Sequence, residues 1–200
     1  MKREVYRMAK RPSFVPVKRR DDFPAIEAKP APEVVTVDRA TECHVTPMDV
    51  AARMVRYLGE TCDRLTLEPS AGTGNLTRAL LESGHSRYEL TQVERHIQLA
   101  SGLRQFGPVI NRCFLEYAAE ARGKVEFPRV IMNPPFSDVR KHIAAARSLM
   151  GRHGHPVPPV LVALVPVTFE TSGMETLEHL PEDTFSTAKV RTKIIRIYGA

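Results

Sequence analysis

Two groups of residues in this chain have the types and spacing to do chemistry. The first is Asn133-Pro134-Pro135-Phe136. An exocyclic amine on an aromatic base is a poor nucleophile, because its lone pair is delocalised into the ring. Two acceptors set against its hydrogens favour a pyramidal nitrogen with the lone pair free to attack. The side-chain oxygen of Asn133 and the main-chain carbonyl of Pro134 can supply them. Pro134 and Pro135 stiffen the backbone that carries these acceptors, and Phe136 offers a ring on which a base can stack. Standing alone, Asn-Pro-Pro is also an ordinary turn after a strand. The second group is the loop Glu68-Pro69-Ser70-Ala71-Gly72-Thr73-Gly74-Asn75, with Glu94 about twenty residues beyond it. Gly72 and Gly74 let the backbone turn tightly and approach a ligand closely. Glu94 can accept both hydroxyl hydrogens of a ribose. Thr77 stands where a third glycine completes the pyrophosphate-binding G-x-G-x-x-G, so the loop matches that pattern poorly. An isolated G-x-G also serves to start a helix, and a strand-end glutamate can simply face solvent.

The surrounding elements decide between these readings. Thr46-Pro47-Met48-Asp49 offers an N-cap, a proline at the first helical position and an acid three residues beyond the cap. Ala51, Met54, Val55 and Leu58 follow at helical spacing, and Gly59 is a stop. Leu65–Glu68 reads as a strand, residues 76–83 as a helix, Tyr88–Val93 as a second strand and His96–Arg104 as a second helix of this series. Val109–Phe114 and Val130–Met132 read as third and fourth strands, Val139–Met150 as a helix, Val160–Val165 as a fifth strand, and Phe185–Tyr198 as a terminal hairpin of two more. Strands alternating with helices imply a parallel sheet covered on both faces, with ligands at the carboxyl ends of its strands. Glu68, Gly72, Gly74, Glu94 and Asn133 all fall at such ends, so residues far apart in sequence converge on one edge.

On these residues the chain resembles class I S-adenosylmethionine-dependent methyltransferases of the amino-methylating type. Leu67-Glu68-Pro69-Ser70-Ala71-Gly72-Thr73-Gly74 looks like their cofactor loop, Gln92-Val93-Glu94 like the ribose-binding acid, and Thr46-Pro47 like the segment near the methionine end of the cofactor. The resemblance covers Val45 to the C-terminus. It implies an α/β, Rossmann-like, doubly wound and mostly parallel seven-stranded sheet with a C-terminal antiparallel hairpin. It implies S-adenosyl-L-methionine as cofactor, held by Thr46, Pro47, Glu68 to Asn75, Glu94, Cys113, Phe114 and Asn133. The third strand in this family often ends in Asp-Phe against the cofactor's adenine; here Cys113 precedes Phe114, and a thiol is a weaker acceptor. Asn133-Pro134-Pro135-Phe136 is similar to the motif shared by enzymes that methylate base amines and by glutamine methyltransferases of release factors, in which Tyr is usual where Phe136 stands here. Phe136, Ser137 and the segment Leu180-Pro181-Glu182-Asp183-Thr184-Phe185 resemble the adenine-N6 DNA enzymes most. A duplex substrate then requires base flipping, with stacking from Phe136 and from Phe185 or Phe169. An RNA base methyltransferase (adenine N6 or guanine N2), and a catalytically silent fold that binds nucleic acid or a partner, remain as alternatives.

Composition bounds the rest. A chain of 200 residues with 42% hydrophobic content suits one core, expected over residues 41–200 with no separate target-recognition domain. Sequence specificity is then short, absent, or supplied by a specificity subunit or a second copy. The first twenty residues hold eight basic side chains against Glu4 alone, a charge of +7 where the whole chain carries +6. Residues 1–40 also carry Pro12, Pro16, Pro24, Pro30 and Pro32. They read as a disordered basic arm whose Lys18, Arg19 and Arg20 suit phosphate contacts, or as a solvated tail. Ser137, Arg140, Lys141 and Phe185 are further candidates to meet nucleic acid, DNA before RNA, with a solvated helix face the alternative for Arg140 and Lys141. No apolar run approaches the length of a membrane span and the start is charged, so a cytoplasmic protein is expected. Cys43, Cys62 and Cys113 match no disulfide framework. His153 and His155 lack companion ligands, so no metal is expected. His142 reads as a surface residue, and Met48, Met54 and Met132 as core.

Overall fold

In the computed structural model, which describes residues 44–60, 63–185 and 190–199, the apolar runs of the sequence become neighbouring strands of one sheet. The elements run α1 (Met48–Leu58), β1 (Thr66–Pro69), α2 (Asn75–Glu82), β2 (Leu90–Glu94), α3 (Ile97–Leu103), β3 (Val109–Asn111), α4 (Phe114–Ala121) and β4 (Arg129–Met132). A single 3-10 turn (Phe136–Asp138) then leads into α5 (Val139–Ser148), β5 (Val160–Pro166), β6 (Met174–Leu180) and β7 (Thr192–Tyr198). The basic arm with Lys18, Arg19 and Arg20, and also Cys43 and Cys62, lie outside the described residues. No helix among the described residues is long and apolar enough to cross a membrane.

The strand order is β3-β2-β1-β4-β5-β7-β6. The first five strands pair in parallel, and β7 runs antiparallel between β5 and β6. This is the mostly parallel, seven-stranded α/β sheet with an antiparallel C-terminal pair expected from the sequence. Side chains alternate across it with the strand period of two. Leu161, Ala163 and Val165 of β5 join Ala118 and Ala121 of α4 and Ile143 and Ala146 of α5 on one face. Val160, Val162 and Leu164 join Met54 and Val55 of α1 and Ala79 and Leu80 of α2 on the other. Each such fully buried Leu or Val side chain contributes roughly 1.5–3 kcal/mol. The chain leaves β1 first toward β2 and β3 and returns on its other side to β4, so the order reverses at β1. A crevice at the carboxyl ends is the consequence.

Several sequence expectations are corrected. Pro47, with φ −58° and ψ 146°, is the N-cap of α1, and Thr46 makes no side-chain cap bond; its hydroxyl is used elsewhere, as shown below. The third strand ends at Asn111 rather than Phe114, and Phe114 starts a helix that the sequence reading omitted. Phe114, Ala118 and Ala121 bury one stripe of that helix. The terminal hairpin is built from Met174–Leu180 and Thr192–Tyr198, not from within residues 185–198; Phe185 lies in the connection between them. In β6 only Leu180 is buried and the other residues are half-buried or exposed, so it lacks the apolar alternation that marks a strand. Phe169, expected near a flipped base, is buried in the core with α5. Met54 and Met132 are fully buried, and Met48 packs on the core from its edge.

Candidate active site

The turn after β1 is shaped by three residues in the left-handed region: Ser70 (φ 55°), Gly72 (φ 56°) and Gly74 (φ 82°). Ser70 is a non-glycine residue there, a conformation that costs energy and persists where surrounding structure fixes it. The turn opens onto a cavity of about 290 Å³ at the strand ends, near the lower end of the roughly 300–1,000 Å³ usual for small-ligand sites. Glu94, at the end of β2, lines this cavity and is 5% exposed. Its two oxygens accept hydrogen bonds from the main-chain N–H groups of Gly72 (2.8 Å) and His96 (2.8 Å). The carboxylate is therefore fixed by backbone on both sides, and each oxygen retains a lone pair for a further donor.

Glu68 forms the floor beneath that loop and is 2% exposed. Burial, with a smaller push from the Glu94 carboxylate, raises its pKa from 4.5 to about 8 against the opposing Thr77 hydrogen bonds. A neutral Glu68 carries its own hydrogen. Its carboxyl meets the Thr77 hydroxyl, which also lies 2.9 Å from Gln92 Oε1, while Gln92 Nε2 donates to the Pro108 carbonyl at 3.3 Å. The network ties β1, α2 and β2 together under the cavity without a buried charge.

Asn133 closes the opposite wall. Its Nδ2 donates to the His44 carbonyl (2.8 Å) and to the Thr46 hydroxyl oxygen (2.9 Å). A carbonyl only accepts, so the amide nitrogen must face His44 and the amide orientation is settled. Oδ1 is consequently turned away, buried and without a hydrogen-bond partner among the described residues. Asn75, at the start of α2, donates to the Thr46 carbonyl at 2.7 Å. The two asparagines together hold residues 44–46 as a strap along the cavity edge.

The structure thus brings together most of the residues singled out from sequence. Thr46, Glu68, Ser70, Ala71, Gly72, Thr73, Asn75, Glu94, Cys113, Phe114, Asn133, Pro135 and Ser137 line one cavity. Pro47, Pro69, Gly74, Pro134 and Phe136 do not. Gly74 instead sits against α3, where an added Cβ would meet Leu103 Cδ2 at 2.6 Å. Phe136 stacks on His44 (centroids 4.8 Å, 24°) and meets Phe185 edge-on at 6.1 Å, making a ring cluster beside the strap. Arg140 donates to the Glu170 carbonyl and covers the Phe169 ring, and Lys141 pairs with Asp138 at 2.7 Å.

Further residues line the cavity that the sequence did not single out for it, His44 and His142 among them. His44 carries no motif around it, and its contacts with Asn133 and Phe136 reveal it. His142 is 7% exposed, not a surface residue. It recurs three and four residues after Val139 and Asp138, and Ile143 follows it, so its place on the inner face of α5 was legible from helical spacing.

No family model and no curated protein matches the sequence. Among solved structures, the 23S rRNA methyltransferase ErmE is similar at TM-score 0.59 and 19% identity, over 82% of this chain and 69% of that one. The methyltransferase subunit of the type I restriction-modification system from Streptococcus thermophilus is similar at TM-score 0.62 and 16% identity, over 76% of this chain but 43% of its own. The magnesium protoporphyrin IX methyltransferase ChlM from Synechocystis PCC 6803, solved with bound SAM, is similar at TM-score 0.52 and 12% identity over 82% of each chain. The fold is therefore that of the Rossmann-like methyltransferases.

Proposed function

We propose that the protein transfers a methyl group from S-adenosylmethionine to the exocyclic amine of a nucleic-acid base, adenine N6 in DNA. The observation that carries this reading is Asn133, which lines the cavity that also holds Glu94 and whose buried Oδ1 has no hydrogen-bond partner among the described residues. An unsatisfied buried polar atom costs about 1–3 kcal/mol, which a ligand hydrogen can recover.

The residues present fit the cofactor. The doubly anchored Glu94 carboxylate suits the ribose hydroxyls, the side-chain-free Gly72 admits close approach, and Phe114 offers an apolar surface for a purine. When bound, S-adenosylmethionine supplies an electrophilic methyl group on a sulfonium. Asn133 Oδ1 and the Pro134 carbonyl accept the two amine hydrogens of the base, which turns the nitrogen lone pair outward. Phe136 stacks on the base and holds it in that pose. The surplus proton passes to water after transfer, so no strong base is required. The basic arm supplies salt-sensitive phosphate contacts. The likeness to a type I modification subunit supports a separate specificity subunit.

The test is transfer of labelled methyl from S-adenosylmethionine to duplex DNA, single-stranded DNA and RNA, followed by nucleoside analysis. N6-methyladenine in DNA is expected, and Asn133→Ala should lower turnover on the order of a hundredfold or more while the cofactor still binds. No transfer to any substrate at saturating cofactor refutes the enzymatic reading. The likeness to ErmE favours one second reading, methylation of an RNA base, which label in RNA alone would establish.

A further inference from the structure

The wall of the cavity where α5 meets the start of α4 holds a titratable side chain that the methyl transfer does not use. His142 is 7% exposed and lines the cavity, and its Nδ1 is 3.2 Å from the main-chain carbonyl of Asp138, one turn back in the chain. A carbonyl only accepts, so Nδ1 carries the hydrogen and Nε2 is left as a lone-pair acceptor. Nε2 has no partner among the described residues. Burial lowers the pKa of the ring and keeps it neutral near pH 7, despite an opposing pull from Asp138. Lys141 and Arg95 act in the same direction as burial.

The neighbours of His142 indicate what that acceptor is for. The Phe114 ring lies 5.8 Å away, tilted by 31°, and Cys113 and Leu115 continue the same wall. This wall follows β3, on the far side of Glu94 from Asn133 in the strand order. A nucleoside held through its ribose at Glu94, with its reactive end toward Asn133, must lay its base against this β3 side. Phe114 and Leu115 are the apolar part of a lining that also holds Arg112 and Asp138, and the Asp138 carboxylate is paired with Lys141, so a purine amine laid against the Phe114 ring needs another acceptor. The Cys113 thiol accepts only weakly.

We propose that His142, through Nε2, accepts a hydrogen bond from the exocyclic amine of the cofactor's adenine and so selects adenosine at this site. The proposal rests on the S-adenosylmethionine reading above. It makes His142 a recognition residue for the cofactor and gives it no part in the transfer itself.

The experiment is calorimetric binding of S-adenosylhomocysteine and of its 6-deamino analogue, in which hydrogen replaces the amine, to the wild-type protein, His142→Phe and His142→Gln. The wild type is expected to prefer the amine by about tenfold, the equivalent of one hydrogen bond of about 1.4 kcal/mol. His142→Phe keeps a ring without a nitrogen, and the preference should fall to within about twofold of none. His142→Gln restores an acceptor and should recover most of it. Both ligands are measured on one preparation, so loss of folded protein cancels from the ratio. Where neither variant folds, the Nε2 resonance of the 15N-labelled wild type should move with S-adenosylhomocysteine and not with the analogue. A wild-type ratio retained by His142→Phe, no preference in the wild type, or an unmoved Nε2 resonance overturns the proposal. A wild type that binds neither ligand instead removes the cofactor reading, and this inference with it.

Discussion

Glu68→Gln tests how the cavity floor is built. The carboxyl is 2% exposed, and burial first, then the Glu94 carboxylate, raises its pKa from the ordinary 4.5 to about 8. Between those two pH values the folded protein keeps a proton that the unfolded chain releases. The stability due to this group is thus fully present below about pH 4.5 and is lost as pH rises through about 8. Inside that window each pH unit costs the folded state about 1.4 kcal/mol. The Gln amide cannot ionise and can still donate to the Thr77 hydroxyl, which passes its own hydrogen to Gln92, so the network survives the change. Urea unfolding of both proteins at pH 5.5, 6.5 and 7.5 should therefore show the variant gaining on the wild type by about 1.4 kcal/mol per unit, nearly 3 kcal/mol over the range. Histidines such as His85 and His142 titrate in both proteins and cancel from the difference. Parallel stability curves would refute the assignment of a neutral, buried Glu68.

Further substitutions probe the remaining parts. Glu94→Gln sets an amide nitrogen against the N–H of Gly72 or His96 and removes the charge that a ribose would meet, so S-adenosylhomocysteine should bind roughly 10- to 100-fold more weakly by calorimetry, as for a charged hydrogen bond worth about 1.5–3 kcal/mol; an unchanged Kd removes Glu94 from the site. Phe136→Ala should raise KM for an oligonucleotide substrate about 5- to 100-fold, from a stacking energy of about 1–3 kcal/mol, with Phe136→Tyr near wild type; an equal KM for all three argues against base stacking there. Gly74→Ala forces a Cβ to within 2.6 Å of the buried Leu103 at a φ of 82° and should cost roughly 1–3 kcal/mol in denaturant unfolding; a loss under about 0.5 kcal/mol would show that α3 yields freely.

The strands of the parallel region were legible because they are short apolar runs bounded by turn residues, and their alternation with helices fixed the sheet type. The alternation implies one edge for Glu68, Gly72, Gly74, Glu94 and Asn133, and all of these but Gly74 line the cavity found there. The errors have physical causes. The β-branched Val109 and Ile110 drew the third strand on to Phe114, although Asn111, its last paired residue, and Arg112 just beyond the ladder are already exposed. Two of the three buried residues of α4, Ala118 and Ala121, are alanines, which give a weak hydrophobic period. The strand β6 is held by pairing with β7 and not by an apolar face, so its Glu175 and Glu178 obscured it. Polar tertiary contacts leave no periodicity at all: nothing in the sequence states that Asn75 and Asn133 reach across 29 and 89 residues to the same strap.

That strap gives a physical reason for an amide, rather than a carboxylate, after β4. Either group offers an oxygen to an incoming amine hydrogen. Only the amide also has a donor, and Asn133 spends both hydrogens of Nδ2 on the His44 carbonyl and the Thr46 hydroxyl. A carboxylate in the same pose would set a negative oxygen against the His44 carbonyl, repelling the segment whose His44 ring stacks on Phe136. The positions of the strap, the ring cluster and the free Oδ1 are thus coupled through one side chain. The nitrogen of Asn133 orders the cavity edge, and by doing so it fixes which way the unsatisfied oxygen points.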